Sequence, residues 1–135
     1  MKTRLLLYLL LCGFVAKAQT IEVSGLQSGI WDADTILVTN NVSVQDSLCI
    51  LAGTTVLFED FYTISVRDGA TLKALGAEND SIVFTVADTT GFHLFNMGRG
   101  GWNGIKMDWA GYCQFDYCRF QYGKAALNKD QPPVL

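Results

Sequence analysis

Acids, one histidine, four cysteines and a late run of aromatic rings are the side chains that could do chemistry here, and spacing decides what each set could do. Asp32 and Asp34 stand one residue apart, Glu59-Asp60 interrupts two apolar runs, and Asp68 directly precedes Gly69. Aspartate before glycine is a turn signal, because its side chain bonds the nearby backbone and tolerates left-handed geometry. Acid–base work or calcium binding needs carboxylates brought together, and the repeat set out below aligns no two acids. His93 lies among Phe92, Leu94 and Phe95 with no serine, cysteine or acid at a telling distance, so it reads as a packed or surface histidine. No C-x-x-C pair accompanies it, which leaves a zinc site without ligands. Gly98-Arg99-Gly100-Gly101 has the composition of a phosphate cradle, but that needs a following helix, and Trp102 to Met107 reads as strand.

No catalytic, cofactor-binding or metal-binding residue is therefore assigned. The aromatics remain. Exposed rings anchor interfaces and stack on ligands, so Trp102, Trp109 and Tyr112 are the candidate ligand-stacking residues, with Tyr117 and Tyr122 nearby in sequence. Their alternative employment is to fill the interior of a small fold or close its ends.

The elements that must hold these residues begin after an export signal. Lys2 and Arg4 precede an apolar run from Leu5 to Ala16, and Ala16-Lys17-Ala18 places small residues where a signal peptidase cuts. The run is too short to cross a bilayer, which takes about 20 residues of helix. Cleavage before Gln19 leaves no membrane span and changes the formal charge from −3 to −6, since Lys2, Arg4 and Lys17 depart. That acidity argues against nucleic acid as a partner. Cys49, Cys113 and Cys118 then remain, an odd number that full intramolecular pairing cannot use. Free Cys packs as a small hydrophobe.

From Ile36 to Val86 apolar residues fall on even positions with few exceptions, among them Ile50, Val56, Phe58, Ile64, Val66, Leu72, Ile82 and Phe84, while Leu37, Leu57 and Val83 break the polar side. Period two is the mark of half-buried strands. The segment Leu48-Cys49-Ile50-Leu51-Ala52-Gly53-Thr54-Thr55-Val56-Leu57-Phe58 aligns without gaps on Ile64-Ser65-Val66-Arg67-Asp68-Gly69-Ala70-Thr71-Leu72-Lys73-Ala74. Each reads as a strand, a corner that glycine turns easily, and a second strand. A sandwich also has short strands and frequent turns, but a recurring strand–corner–strand unit is what a solenoid requires.

With these segments in order, followed by Gly101-Trp102-Asn103-Gly104-Ile105 and by Cys113 to Gly123, the chain resembles the right-handed parallel β-helix proteins of the pectate-lyase-like superfamily, in the N-terminal form found in secreted bacterial proteins. The resemblance implies an all-β solenoid of a few coils. It divides the chain into a signal peptide (1–18), an N-terminal cap segment (19–35), β-helix coils (36–126) and a polar tail (127–135). Members usually continue through more coils, so the chain is expected to be the front of a longer or interrupted reading frame. The function it implies is a secreted or cell-surface non-catalytic scaffold or adhesive module, with carbohydrate or another surface component as partner. The alternative is the N-terminal fragment of a carbohydrate-active enzyme, a polysaccharide lyase or hydrolase, whose catalytic coils lie beyond. An unpaired last rung is expected to self-associate.

Overall fold

The computed structural model describes residues 19–94 and 98–124; residues 1–18, read above as an export signal, the last two residues of the expected coil segment (125–126) and the expected tail from 127 to 135 lie outside the described residues. Alternating apolar and polar residues place one set of side chains on each side of an extended strand. Nine strands result, with no helix among the described residues: β1 (Thr20–Trp31), β2 (Thr35–Leu51), β3 (Thr55–Phe58), β4 (Ile64–Arg67), β5 (Thr71–Leu75), β6 (Ile82–Val86), β7 (Ile105–Asp108), β8 (Tyr112–Asp116) and β9 (Cys118–Phe120). Every pairing between them is parallel.

The seventeen residues of β2 pair in succession with β3, β4 and β5 along their length. One strand meeting three successive strands on the same edge means that the sheet is wound into a coil with three faces. The first face stacks the start of β1, the start of β2, β3, β6 and β9. The second stacks the middles of β1 and β2 with β4 and β7. The third stacks the ends of β1 and β2 with β5 and β8. The architecture is a parallel β-helix of a few coils. Residues 20–31, inside the segment assigned to the N-terminal cap, form its first turn and pair with β2 throughout.

Inward residues form ladders through the coil: Ile36, Val56 and Phe84 on the first face, Val42, Ile64 and Ile105 on the second, and Leu48 over Leu72 on the third, all fully buried. Burying each such side chain favours folding by about 1.5–3 kcal/mol relative to exposure. At the N-terminal end Trp31 lies beneath Ile50, almost wholly buried, and donates its Nε1 hydrogen to Gln27 Oε1 at 3.3 Å.

The corners are tight where their residues adopt left-handed geometry. Asp68 (φ 52°) and Gly69 (φ 79°) turn the chain between β4 and β5, closed by Ala70 N–H donating to the Arg67 carbonyl at 2.9 Å. In the coil below, Asp46 (φ 57°) occupies the same corner. Residues 87–104, between β6 and β7, replace a tight corner with a long excursion.

The gapless internal repeat does not run in the direction expected of it. Ile36 faces Val56 twenty residues on, Val42 faces Ile64 twenty-two on, and Leu48 faces Leu72 twenty-four on. The repeat has a period of sixteen, so it superposes the corner after the third face on the corner after the second. It is one local strand–corner–strand solution used at two corners, and the residues it aligns are not stacked neighbours.

Candidate functional site

The outer surface of the third face ends on β8, where the polar positions of its pleat carry Tyr112, Gln114 and Asp116 above Thr71, Lys73 and Leu75. Tyr112 is about half exposed and donates its hydroxyl hydrogen to Gln114 Oε1 at 3.3 Å, while Gln114 Nε2 donates to Asp116 Oδ2 at 2.7 Å. From below, the Lys73 ammonium sits 5.9 Å from the centre of the Tyr112 ring. Cation–π attraction of this exposed kind is worth about 0.5–1 kcal/mol and fixes the ring's attitude.

Aromatic corners bracket this row. Trp109 (φ 58°) turns the chain into β8 and is 85% exposed; Tyr117 (φ 47°) turns it out again and is 60% exposed. Tyr122 (φ 57°), also exposed, follows β9. Five residues of strand at about 3.3 Å each give the row between the two corners a length of roughly 13 Å from Tyr112 to Asp116. Two rings facing solvent, a third laid along the strand, and an amide and a carboxylate between them make an amphipathic rim. It offers flat apolar faces and alternating donors and acceptors at a sheet edge.

Of the expected stacking residues, Trp109 and Tyr112 belong to this rim and Trp102 does not. Trp102 is fully buried, stacked 4.5 Å from Phe58 at 14° and 5.9 Å from Phe84, with its Nε1 hydrogen donated to the Gln121 carbonyl at 2.6 Å. Its place inside follows from the long excursion of residues 87–104. The returning chain enters at the corner between the first two faces, and the indole fills the interior there against the two phenyl rings. The strand β7 starts only at Ile105, after Gly104 (φ 72°), so the alternation that would have turned Trp102 outward is broken before it begins.

Lys124, to which no role is given by sequence pattern, is buried, and its ammonium donates to the carbonyls of Gly91 at 3.1 Å and Arg99 at 3.0 Å. It ties the excursion to the start of the last turn. His93 lies exposed on that excursion, and Gly98 to Gly101 precede strand, not helix.

The acids are arranged differently from the reading of the repeat. Asp46 and Asp68 occupy one corner on successive coils and line a groove of about 420 Å³ with Arg67, Gln45 and Leu26. Matched acids therefore do occur. They were hidden because the sixteen-residue repeat is out of step with the coil. Among the described residues no group of three or more His, Cys, Asp or Glu is placed to hold a metal ion.

The three cysteines are unpaired and half-buried. Cys113 and Cys118 take inward positions over Leu72 and Ile82 despite their odd spacing, because the Tyr117 corner resets the alternation between them. Burial pushes both thiols above their ordinary range; at Cys118 the Asp116 carboxylate adds to the effect, and a backbone hydrogen bond opposes it at each. Thiols held protonated are poor nucleophiles and poor metal ligands.

No helix among the described residues is long and apolar enough to cross a membrane. Comparison with family models, curated proteins and solved structures returns no match in any of the three.

Proposed function

We propose that the chain is exported and serves outside the cell, or at its surface, as a non-catalytic β-helix scaffold or adhesive module that presents the β8 rim to carbohydrate or another surface component. The carrying observation is conformational. Trp109, Tyr117 and Tyr122 occupy left-handed corners and are exposed. For a bulky residue that geometry costs about 1–2 kcal/mol, and glycine or asparagine would adopt it more cheaply. Tyr122 packs edge-on against Phe92, 5.2 Å away, but neither backbone preference nor core burial accounts for the rings of Trp109 and Tyr117, whereas contact with a ligand does. Export rests on the leader pattern ending at Ala18, and the kinship with the pectate-lyase-like superfamily rests on the ordered segments given above.

A neutral polysaccharide suits the rim better than a uronate polymer, since a mature charge near −6 repels polyanions at modest salt. The unpaired edges of β7, β8 and β9 among the described strands support the second reading, in which further coils complete an enzyme, and also self-association through that end. Affinity electrophoresis of residues 19–135 through gels containing neutral polysaccharides tests the first reading. Retardation should weaken about tenfold in Trp109→Ala and Tyr112→Ala, with unfolding temperatures nearly unchanged. Retardation that ignores both substitutions would overturn the rim. Unsaturated product from pectate and calcium, abolished by a chelator, would make the enzyme the leading reading.

A further inference from the structure

The corner joining the third face to the first carries a second groove, of about 270 Å³, lined by Gln19, Asp32, Ala33, Asp34, Ala52, Gly53, Thr54 and Asp80. Three of those residues are carboxylates, and no basic side chain is among them. Gln19 is held at both ends: its backbone N–H donates to Asp34 Oδ2 at 3.0 Å, and its carbonyl accepts from Thr35 N–H at 3.0 Å. The residue that the leader pattern makes first in the mature chain is thus already seated on an aspartate.

We propose that leader removal converts this contact into an ion pair, the new α-ammonium of Gln19 docking on the Asp34 carboxylate and fastening the first coil to the second. The inference rests on cleavage between Ala18 and Gln19. Before cleavage the Gln19 nitrogen is a neutral amide with one hydrogen. Afterwards it carries three hydrogens and a full positive charge in a groove whose charged side chains are Asp32, Asp34 and Asp80, and hydrogen bonds between ionised partners are about twice as strong as neutral ones. The same carboxylates raise the affinity of the amine for its proton above the ordinary α-amino range of about 7.7–8.0. A group whose pKa rises on folding contributes stability that is complete below its unfolded value and is lost as pH climbs through the folded one. The latch is therefore closed at neutral pH and opens on the alkaline side.

Protonation also guards the residue. An N-terminal glutamine cyclises when its amine lone pair attacks its own Cδ: a C–N bond forms, the bond to Nε2 breaks, and a proton passes from the amine to the departing ammonia. An amine held as ammonium has no lone pair to give.

The test uses residues 19–135 with a native Gln19 start, with and without Asp34→Asn, each also acetylated at the α-amine while unfolded, where that amine is free of the acids and reacts ahead of lysine because its pKa is lower, and then refolded. At pH 7 Asp34→Asn should lower the unfolding temperature of the free-amine chain by about 1–6 °C, have a much smaller effect on the acetylated one, and speed loss of ammonia severalfold. The difference should vanish at high pH. Equal effects of Asp34→Asn on free and acetylated chains would overturn the ion pair and leave the leader reading standing. Secreted material whose first residue is not Gln19 would overturn the leader reading, and with it the maturation step, whatever the unfolding temperatures show.

Discussion

Phe58 and Lys73 lie on opposite sides of the pleat, and their removal should have unequal effects. Phe58 is fully buried between Val38 and Val86 on its ladder and stacks on Trp102. Truncating it leaves a cavity in a lattice of rings, so Phe58→Ala should cost about 3–5 kcal/mol. Lys73 is exposed, with its ammonium 5.9 Å from the centre of the Tyr112 ring, so Lys73→Ala should cost at most about 1 kcal/mol. Urea unfolding of the two variants measures both values, and similar shifts would mean that the register of the coil is wrong. Single residues were legible wherever alternation ran unbroken: Ile50, Val56, Phe58, Ile64, Val66, Leu72, Ile82 and Phe84 are all fully buried. Alternation fails where a left-handed residue other than glycine makes a one-residue corner. Tyr117 gives no warning in a sequence, yet it moves the inward set from odd positions in β8 to even ones in β9, whereas the corners at Asp46 and Trp109 keep the parity. Trp102 was misplaced for a related reason, since Gly104 separates it from the strand it was assigned to.

At the scale of elements, short strands and glycine corners could be read from composition, because each is settled by its own few residues. Which strand lies beside which could not. Pairing depends on the length of every corner, and corners here differ: that between β4 and β5 takes three residues, 68–70, while that between β6 and β7 takes residues 87–104. The longer excursion is held by Lys124, whose ammonium satisfies two of its carbonyls. Hydrogen bonds to a charged donor contribute about 1.5–3 kcal/mol. Lys124→Met should therefore destabilise by roughly that amount and act locally. Hydrogen exchange should quicken at Phe92, Leu94 and Trp102, whose N–H groups are bonded within or beside the excursion, well before it quickens in β3 and β4. Uniform acceleration across all coils would show that Lys124 supports the whole solenoid and not this segment.

For the whole molecule, exposed apolar surface gathers at the two ends of the coil. Among the described residues, Ile21, Leu26 and Ile30 lie on β1, Trp109, Tyr112, Tyr117, Phe120 and Tyr122 lie on or beside the last rungs, and only Leu51 interrupts the middle. Apolar surface on the outer turns of a solenoid favours association. Sedimentation of residues 19–135 should show mass rising with concentration, and Phe120→Arg should shift the distribution toward monomer. A monomer at high concentration, with sharp unfolding at high temperature, would show that the ends are adequately closed. The winding also decides how the molecule answers a pull. Hydrogen bonds between successive turns point along the axis of the coil, so tension applied to its two ends loads them in series, and the outermost turn opens first. The two turns are fastened differently: β1 grips β2 as one strand through ten register pairs, whereas the last described turn is held in three separate pieces, β7, β8 and β9, through four, five and three. Force entering at the last described turn should release its short strands piecemeal and with them the excursion they enclose, since Ile64 and Ile105 stack across a turn of forty-one residues, or about 140 Å of extended backbone. A module anchored to a surface in this way yields by lengthening, and keeps its first turns wound while its last ones are drawn out.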